Sequence, residues 1–255
     1  MEWQYKVIST IFKLNVFCFI LVDSIQKCPL RDDDCQINLF RKVIQENAHR
    51  GFPEMGIPPF DPHDLKNEEI IILGFFKLKI VDGAAKGFKT CRSTHFHVDI
   101  DKTTAVVELL CEVFNMEAHY QLSVTPVLEA ILGGIKVHGD GIGLKIIDVP
   151  FDFKKLEDGE LHVTFNRSKI TYSAKVLDKI SFTGDNLFIG SQDISAVAVN
   201  VLNENWEFVM KMVGSTIFDK AIDYYVLYTN KFYAAVPLNK LISDDLSAIS
   251  ASITK

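Results

Sequence analysis

The sequence predicts an α+β fold in which a long, strongly curved antiparallel β-sheet wraps around a long C-terminal α-helix. Three observations carry this expectation. From Glu69 to about Val176 apolar and polar residues alternate in runs too long for ordinary hairpins, which implies a coiled sheet. Between Asp193 and Val236 there is no proline, Gly214 is the only glycine, and Pro237 supplies a stop, which describes one helix. At about 40 residues it would be roughly 60 Å long. Finally, the helix is polar only along a narrow stripe: Asn200, Glu204, Glu207, Lys211, Ser215, Asp219 and Asp223 fall three or four apart, and nearly everything else is apolar. A helix resting on a flat surface needs an apolar stripe of only about 100°. Something must therefore wrap this one, and the sheet is the only partner of sufficient size.

The chain begins with an apolar run, Val7 to Val22, interrupted by Lys13 and Asn15. A spanning helix needs roughly 20 uncharged apolar residues, so this run reads as a signal peptide ending near Ser24 rather than as an anchor. The pair Cys28 and Cys35, six residues apart, agrees with it, because a tight disulfide loop persists only in an oxidising compartment. Residues 1–24 are then leader, 25–242 a single domain, and the Ser- and Ala-rich segment 243–255 a frayed tail. The expected location is secreted and extracellular. Asn166-Arg-Ser168 fits the N-glycosylation pattern. A net charge of −6 without a basic stripe argues against nucleic acid and anionic membrane as partners.

In chain order, apolar residues at Ile37, Leu39, Phe40, Val43, Ile44 and Ala48 predict a helix over Gln36 to Arg50, ended by Gly51 and Pro53. Four prolines and two glycines in Gly51 to Leu65 predict an extended connector. β-branched and alternating runs predict strands from Glu69 through Ile80, through Phe96 to Ile100, and through Val107 to Val113 after an Asp101-Lys102 turn, then near Met116–Val124, Ala130–Val137, Leu144–Phe153, Leu161–Phe165 and Ile170–Leu177. Gly139, Gly141 and Gly143 read as bulges in a bent strand rather than a phosphate loop, since no helix follows them.

A two-residue turn would pair positions summing to 203, placing Phe96, Val98 and Ile100 on one apolar face with Val107, Leu109 and Val113. Cys111 then points inward and Cys91 outward, so a disulfide between them needs a bulge. The outer face collects Cys91, His95, His97, Glu108 and Glu112, whose residue types suit zinc but whose spacing is that of a solvated polar face. No metal and no cofactor is expected.

Six features in order resemble the insect juvenile-hormone-binding and takeout-like family of secreted lipid carriers: the pair Cys28 and Cys35, Gly56-Ile-Pro-Pro-Phe-Asp-Pro62, Gly139-Asp-Gly141 after Tyr120, Asn186-Leu-Phe-Ile-Gly190, Leu202-Asn-Glu-Asn-Trp206, and Phe232 leading to Val236-Pro237. The resemblance implies a super-roll of the TULIP-like kind, a curved sheet around a long helix with an apolar tunnel for an elongated ligand. The hormone-binding members carry a second disulfide late in the chain. Here no cysteine lies beyond Cys111, which looks more like the takeout-like branch.

The expected function is a secreted carrier of a long hydrophobic small molecule such as a fatty acid, an isoprenoid or a juvenile-hormone-like ester. Its tunnel wall would be Phe96, Val98, Val107, Leu109, Val113, Trp206, Val209, Met210, Val213 and Phe218, each of which also suits dry core. The helix Gln36 to Arg50, held by the Cys28 to Cys35 loop, would close one end. The rival class is an extracellular interaction protein with a closed cavity, acting on a receptor or another protein. An enzyme is the weaker reading, because no Gly-x-Ser-x-Gly elbow and no recognisable nucleophile setting occurs.

Overall fold

The computed structural model describes residues 26–253 apart from 73, 75, 125–127 and 190, so the expected leader lies outside the described residues. Helix α1 spans Asp33–Asn47, a turn earlier than the apolar spacing suggests. Asp32 sets this start: its carboxylate accepts from the Cys35 amide at 2.9 Å, and Asp33 and Asp34 fill a first turn where negative charge is favoured. The disulfide Cys28–Cys35 is formed. Cys28 also bridges to the C-terminal region, donating its amide to Leu241 O at 2.8 Å and accepting from Ser243 N at 3.1 Å.

The connector is more structured than its prolines suggest. Pro53–Met55 form a 3-10 turn, and β1 (His63–Asp64) pairs with the edge of the sheet directly after Pro62. The buried Asp61 carboxylate anchors it, accepting from Gly87 N at 3.2 Å and Lys89 N at 2.7 Å.

Strands β2 (Glu69–Ile72), β3 (Phe76–Lys86), β4 (Cys91–Asp99), β5 (Thr104–Val124), β6 (Leu128–Lys155), β7 (Leu161–Phe165), β8 (Thr171–Val176) and β9 (Ile180–Asp185) complete a nine-stranded sheet. Its spine is β5 against β6. Along one edge of β5 lie β3 and β4, and along the far edge of β6 lie β7, β8 and β9 in turn. The expected pairs of strands at Val107–Val113 and Met116–Val124, and at Ala130–Val137 and Leu144–Phe153, are thus two unbroken strands of 21 and 28 residues. A separate pair, β10 (Phe188–Ile189) and β11 (Gln192–Asp193), leads into the C-terminal helices.

The β4–β5 hairpin has the anticipated register, from Asp99↔Thr104 to His95↔Glu108. At Thr94 a bulge shifts it, and beyond the bulge Cys91 lies opposite Cys111 and the two form a disulfide. The outer-face set is dispersed into local pairs: His97 with Asp33 at 3.3 Å, Glu108 with Lys145 at 2.5 Å, Glu112 with Arg92 at 3.7 Å. Among the described residues no three His, Cys, Asp or Glu side chains are grouped to hold a metal.

The C-terminal rod is two helices, α2 (Ser195–Glu204) and α3 (Trp206–Ala235). Asn205 separates them at φ −118°, ψ 26°, its side-chain amide donating to Val201 O at 2.9 Å. No described helix is long and apolar enough to cross a membrane. All seven residues of the polar stripe are exposed. Arg167 grips two of them, with Nη2 at 2.8 Å from Asp219 and Nε at 2.6 Å from Asp223. The wrapping is less complete than the sequence suggests, most so at the start of the rod, since Val197 is 67%, Phe208 61% and, further along, Leu227 46% exposed. Two asparagine amides stitch sheet edges to the helices: Asn203 brackets the N–H and C=O of Phe182 on β9, and Asn230 those of Phe165 on β7, at 2.8–3.0 Å.

The expected frayed tail is a folded element. Helix α4 (Ser247–Ile253) starts at Asp245, which accepts from Ser247 N at 2.9 Å. Its Ile249 and Ile253, with Leu246 just before it, pack on the core, and that apolar contact is what the Ser/Ala composition concealed.

The Cys91–Cys111 bond closes a 20-residue separation, and cross-links of that span stabilise a domain by about 3 kcal/mol. Chemical denaturation of a Cys91→Ser/Cys111→Ser variant should show a loss of about that size, with far-UV circular dichroism unchanged at low denaturant.

Candidate ligand-binding trough

Between β5 and β6 the pairing runs through Cys111↔Ile142 and Val113↔Asp140 but omits Glu112 and Gly141, the latter at φ +62°. Across this corner the buried positions change parity. Before it, odd residues of β5 (Ala105, Val107) and Ile146 of β6 are buried. After it, even residues of β5 (Ala118, Tyr120) and odd residues of β6 (Gly133, Gly139) are. The inner surface is therefore two panels joined at a kink.

The first panel is densely filled. Ala105, Val107, Ile146, Val149 and Phe151 form one buried cluster with Ile222 and Val226 of α3 and with Val236, Leu238, Leu241 and Ile242 beyond it. Of the residues expected to line a tunnel, Val107 belongs to this cluster and Phe96, Val98 and Leu109 pack against it. Val113 does not share their face: it lies past the corner, where its neighbour Phe114 turns inward to stack on Phe88.

The second panel mixes small and large residues. Three rows cross it by register: His63, Ala85, Met116, Val137 and Phe182; then Gly83, Ala118, Ile135 and Gly184; then Ile80, Tyr120 and Gly133. The helices approach it through α2 on β9 and α3 on β9 and β2. Trp206, Val209, Met210, Val213 and Phe218, the other five expected wall residues, lie on this first half of α3, and all five are half-buried. Only Gly214 is fully buried there, leaving space for Met210 Cε and the Phe218 ring. The sequence-derived set is thus split between the two panels.

A polar knot borders the second panel. Glu68, just before β2, accepts from the Tyr224 hydroxyl and from Lys220 Nζ at 3.1 Å. Burial works against the charged carboxylate, yet these two donors hold its pKa below the ordinary range. His63 packs edge-on to Tyr224, ring centroids 4.4 Å apart, and faces Tyr228 and Phe88. Its Nε2 is buried without a hydrogen-bond partner, and burial lowers its pKa despite the nearby Glu68 and Asp64. Reasoning from sequence missed this group. Lys220 carried a usable signal, because it falls off the polar stripe of its helix, whereas His63 was hidden in a segment read as connector.

An open groove of about 670 Å³ lies on the outer side of the same panel. Ion pairs line part of it, His119 with Asp82 at 2.7 Å and Lys136 with Glu117 at 2.8 Å, alongside apolar Met116 and Val137.

A long helical rod packed against a coiled antiparallel sheet defines the class of fold seen in Epiphyas postvittana Takeout 1. That crystal structure superposes with a TM-score of 0.74 at 23% identity, over 86% of this chain and 100% of that one. The model of the haemolymph juvenile hormone binding protein (JHBP) family matches residues 7–243, and the chain belongs to that family. Among proteins of curated function none matches by sequence.

His63 titrates near pH 6.5 when unfolded and lower when folded, so the unfolded chain binds the extra proton and stability falls as pH drops below about 6.5. Glu68, depressed in the fold, adds a further loss below about 4.5. His119, raised by Asp82, acts in the opposite sense. Thermal midpoints of wild type and His63→Gln should therefore diverge between pH 7 and 5, with the wild type losing more.

Proposed function

We propose that this chain is a secreted carrier that encloses one long hydrophobic molecule between the first half of α3 and the glycine- and alanine-rich panel. The observation that carries this reading is the pairing of large, half-buried apolar side chains on the helix with the small residues Gly83, Ala85 and Ala118 on the sheet. Bulky residues over small ones leave room, and apolar room takes apolar cargo. A second observation extends the space toward the packed panel. Tyr225 and Tyr233, which pack against the first panel's cluster, keep accessible surface of their own. Phe96, Val98, Val107 and Leu109 would flank that extension, and Trp206, Val209, Met210, Val213 and Phe218 the main chamber.

Family membership supports hydrophobic-ligand binding, and juvenile hormone is the ligand in the family's own description. Each methylene removed from water contributes about 0.8 kcal/mol, so a fatty acid, an isoprenoid or a hormone-like ester of a dozen carbons would bind tightly by burial alone. Two disulfides suit an oxidising, extracellular setting. The sequon residue Asn166 is exposed, as a glycosylated residue must be.

Native mass spectrometry of the purified protein should show co-purifying lipid, and displacement of a fluorescent fatty acid should be saturable. Val213→Trp, which fills the chamber, should weaken binding at least about tenfold while changing the melting temperature little, since a bulky side chain there enters space rather than packed core. Absence of saturable binding would favour the rival reading, a protein that acts through contact with another protein. Helix α1 is tied to the C-terminal region through Cys28, and we assign it the role of closing one end. Cys35→Ser should then raise the ligand off-rate; unchanged release kinetics would remove α1 from that role.

A further inference from the structure

Among the described residues three buried polar atoms lack a hydrogen-bond partner: Arg41 Nε, Glu54 Oε1 and His63 Nε2. Arg41 and Glu54 lie on α1 and the 3-10 turn, off the sheet. His63 differs in position. Its register partner is Ala85, and the row continues through Met116 and Val137 to Phe182, so the imidazole is the single polar member of an inner-face row that is otherwise apolar. The side chain is only 7% exposed. Ala85 beside it has nothing beyond Cβ, Tyr224, Tyr228 and Phe88 flank it with ring contacts, and Nε2 has no open surface of its own, so a ligand atom reaches it when one of these neighbours shifts.

A buried ring nitrogen without a partner is a net cost to folding, and it is tolerated where a ligand atom completes the bond. We propose that His63 is the polar anchor of the binding chamber, so that the cargo is a long apolar chain ending in one uncharged oxygen function, an alcohol or a carbonyl. This rests on the reading of the second panel as the binding site and names what that site selects. The head group is uncharged because of what surrounds the ring. Burial holds the imidazole neutral, so it offers a hydrogen bond but no positive charge. The nearest ionic groups are the Glu68 and Asp64 carboxylates, which repel an anion, and the Lys220 ammonium is already committed to Glu68. A fatty acid entering as carboxylate would lose its hydration and gain no counter-charge at this position.

The test is displacement of N-phenyl-1-naphthylamine by hexadecane, hexadecanol, methyl hexadecanoate and hexadecanoate at neutral pH, on wild type, His63→Leu and His63→Gln. In the wild type the alcohol and the ester should compete about fivefold better than the alkane, the value of one hydrogen bond, and better than the carboxylate. His63→Leu should erase the preference and leave alkane affinity unchanged or raised; His63→Gln should keep it. As a readout that needs no variant, the ¹⁵N resonance of His63 Nε2 should move on adding hexadecanol and stay put with hexadecane. Equal binding of alkane and alcohol by wild type, or the same ranking in His63→Leu, would overturn the anchor alone. Failure of the probe to bind at all would overturn the chamber, and the anchor with it.

Discussion

Apolar side chains cover nearly the whole circumference of α3, and sheathing that surface is the constraint to which the rest of the chain is built. A rod of 30 residues is about 45 Å long, beyond the reach of strands of ordinary length, which span about 20 Å. The solution is a spine of two strands, 21 and 28 residues long, with shorter strands succeeding one another along both edges. Such a sheet must coil, because strand twist accumulates along it, and coiling is what turns a flat cover into a sleeve. The sleeve is fastened by groups that also solve an edge problem. Asn203 and Asn230 present their amides to single residues of β9 and β7 as a neighbouring strand would, satisfying backbone groups that a strand edge leaves unpaired.

The corner at Glu112 and Gly141 decides how the interior is divided. If the alternation had continued through it, the side chains that face the rod in one half would face solvent in the other. Dropping one residue from the ladder on both strands together reverses the faces and leaves the overall register intact. The left-handed Gly141 makes the kink, and a cluster of fasteners flanks it: the Cys91–Cys111 disulfide on one side, and on the other Thr90 Oγ1 accepting from Val113 N at 3.3 Å. Gly87, at φ +117°, lies so close to the Val113 carbonyl that a β-carbon there would collide with it. The two panels thus lie on opposite sides of a reinforced joint.

Features governed by local periodicity were legible in the residues themselves. The rod, its polar stripe, its stop at Pro237 and the β4–β5 register all follow from spacing alone. Two kinds of feature were not. The break at Asn205 and the folding of residues 247–253 depend on contacts between segments distant in sequence, and a Ser/Ala run gives no sign of the core it will touch. The face reversal is subtler, because alternation reads the same on either side of a kink; the glycines at 139, 141 and 143 marked the place but not its consequence for Val113. Likewise the residues around Glu68 are joined by tertiary contacts across more than 150 positions, to which no motif corresponds.

Division of the interior also separates stability from selectivity. The packed panel holds Ile146, Ile222 and Val236 with almost no accessible surface, so removing a methylene there leaves a void and costs stability. On the proposed reading the second panel would hold the guest. A guest that binds only the folded chain adds RT ln(1 + [L]/Kd), about 2.7 kcal/mol at a hundredfold excess over Kd, an amount that matches one good disulfide. Selectivity then has two sources of different character. Burial of methylenes rewards length almost without regard to identity, whereas an unpaired imidazole among aromatic rings distinguishes one end of a chain from the other. A carrier of the proposed kind would orient its cargo while accepting many chains of similar length.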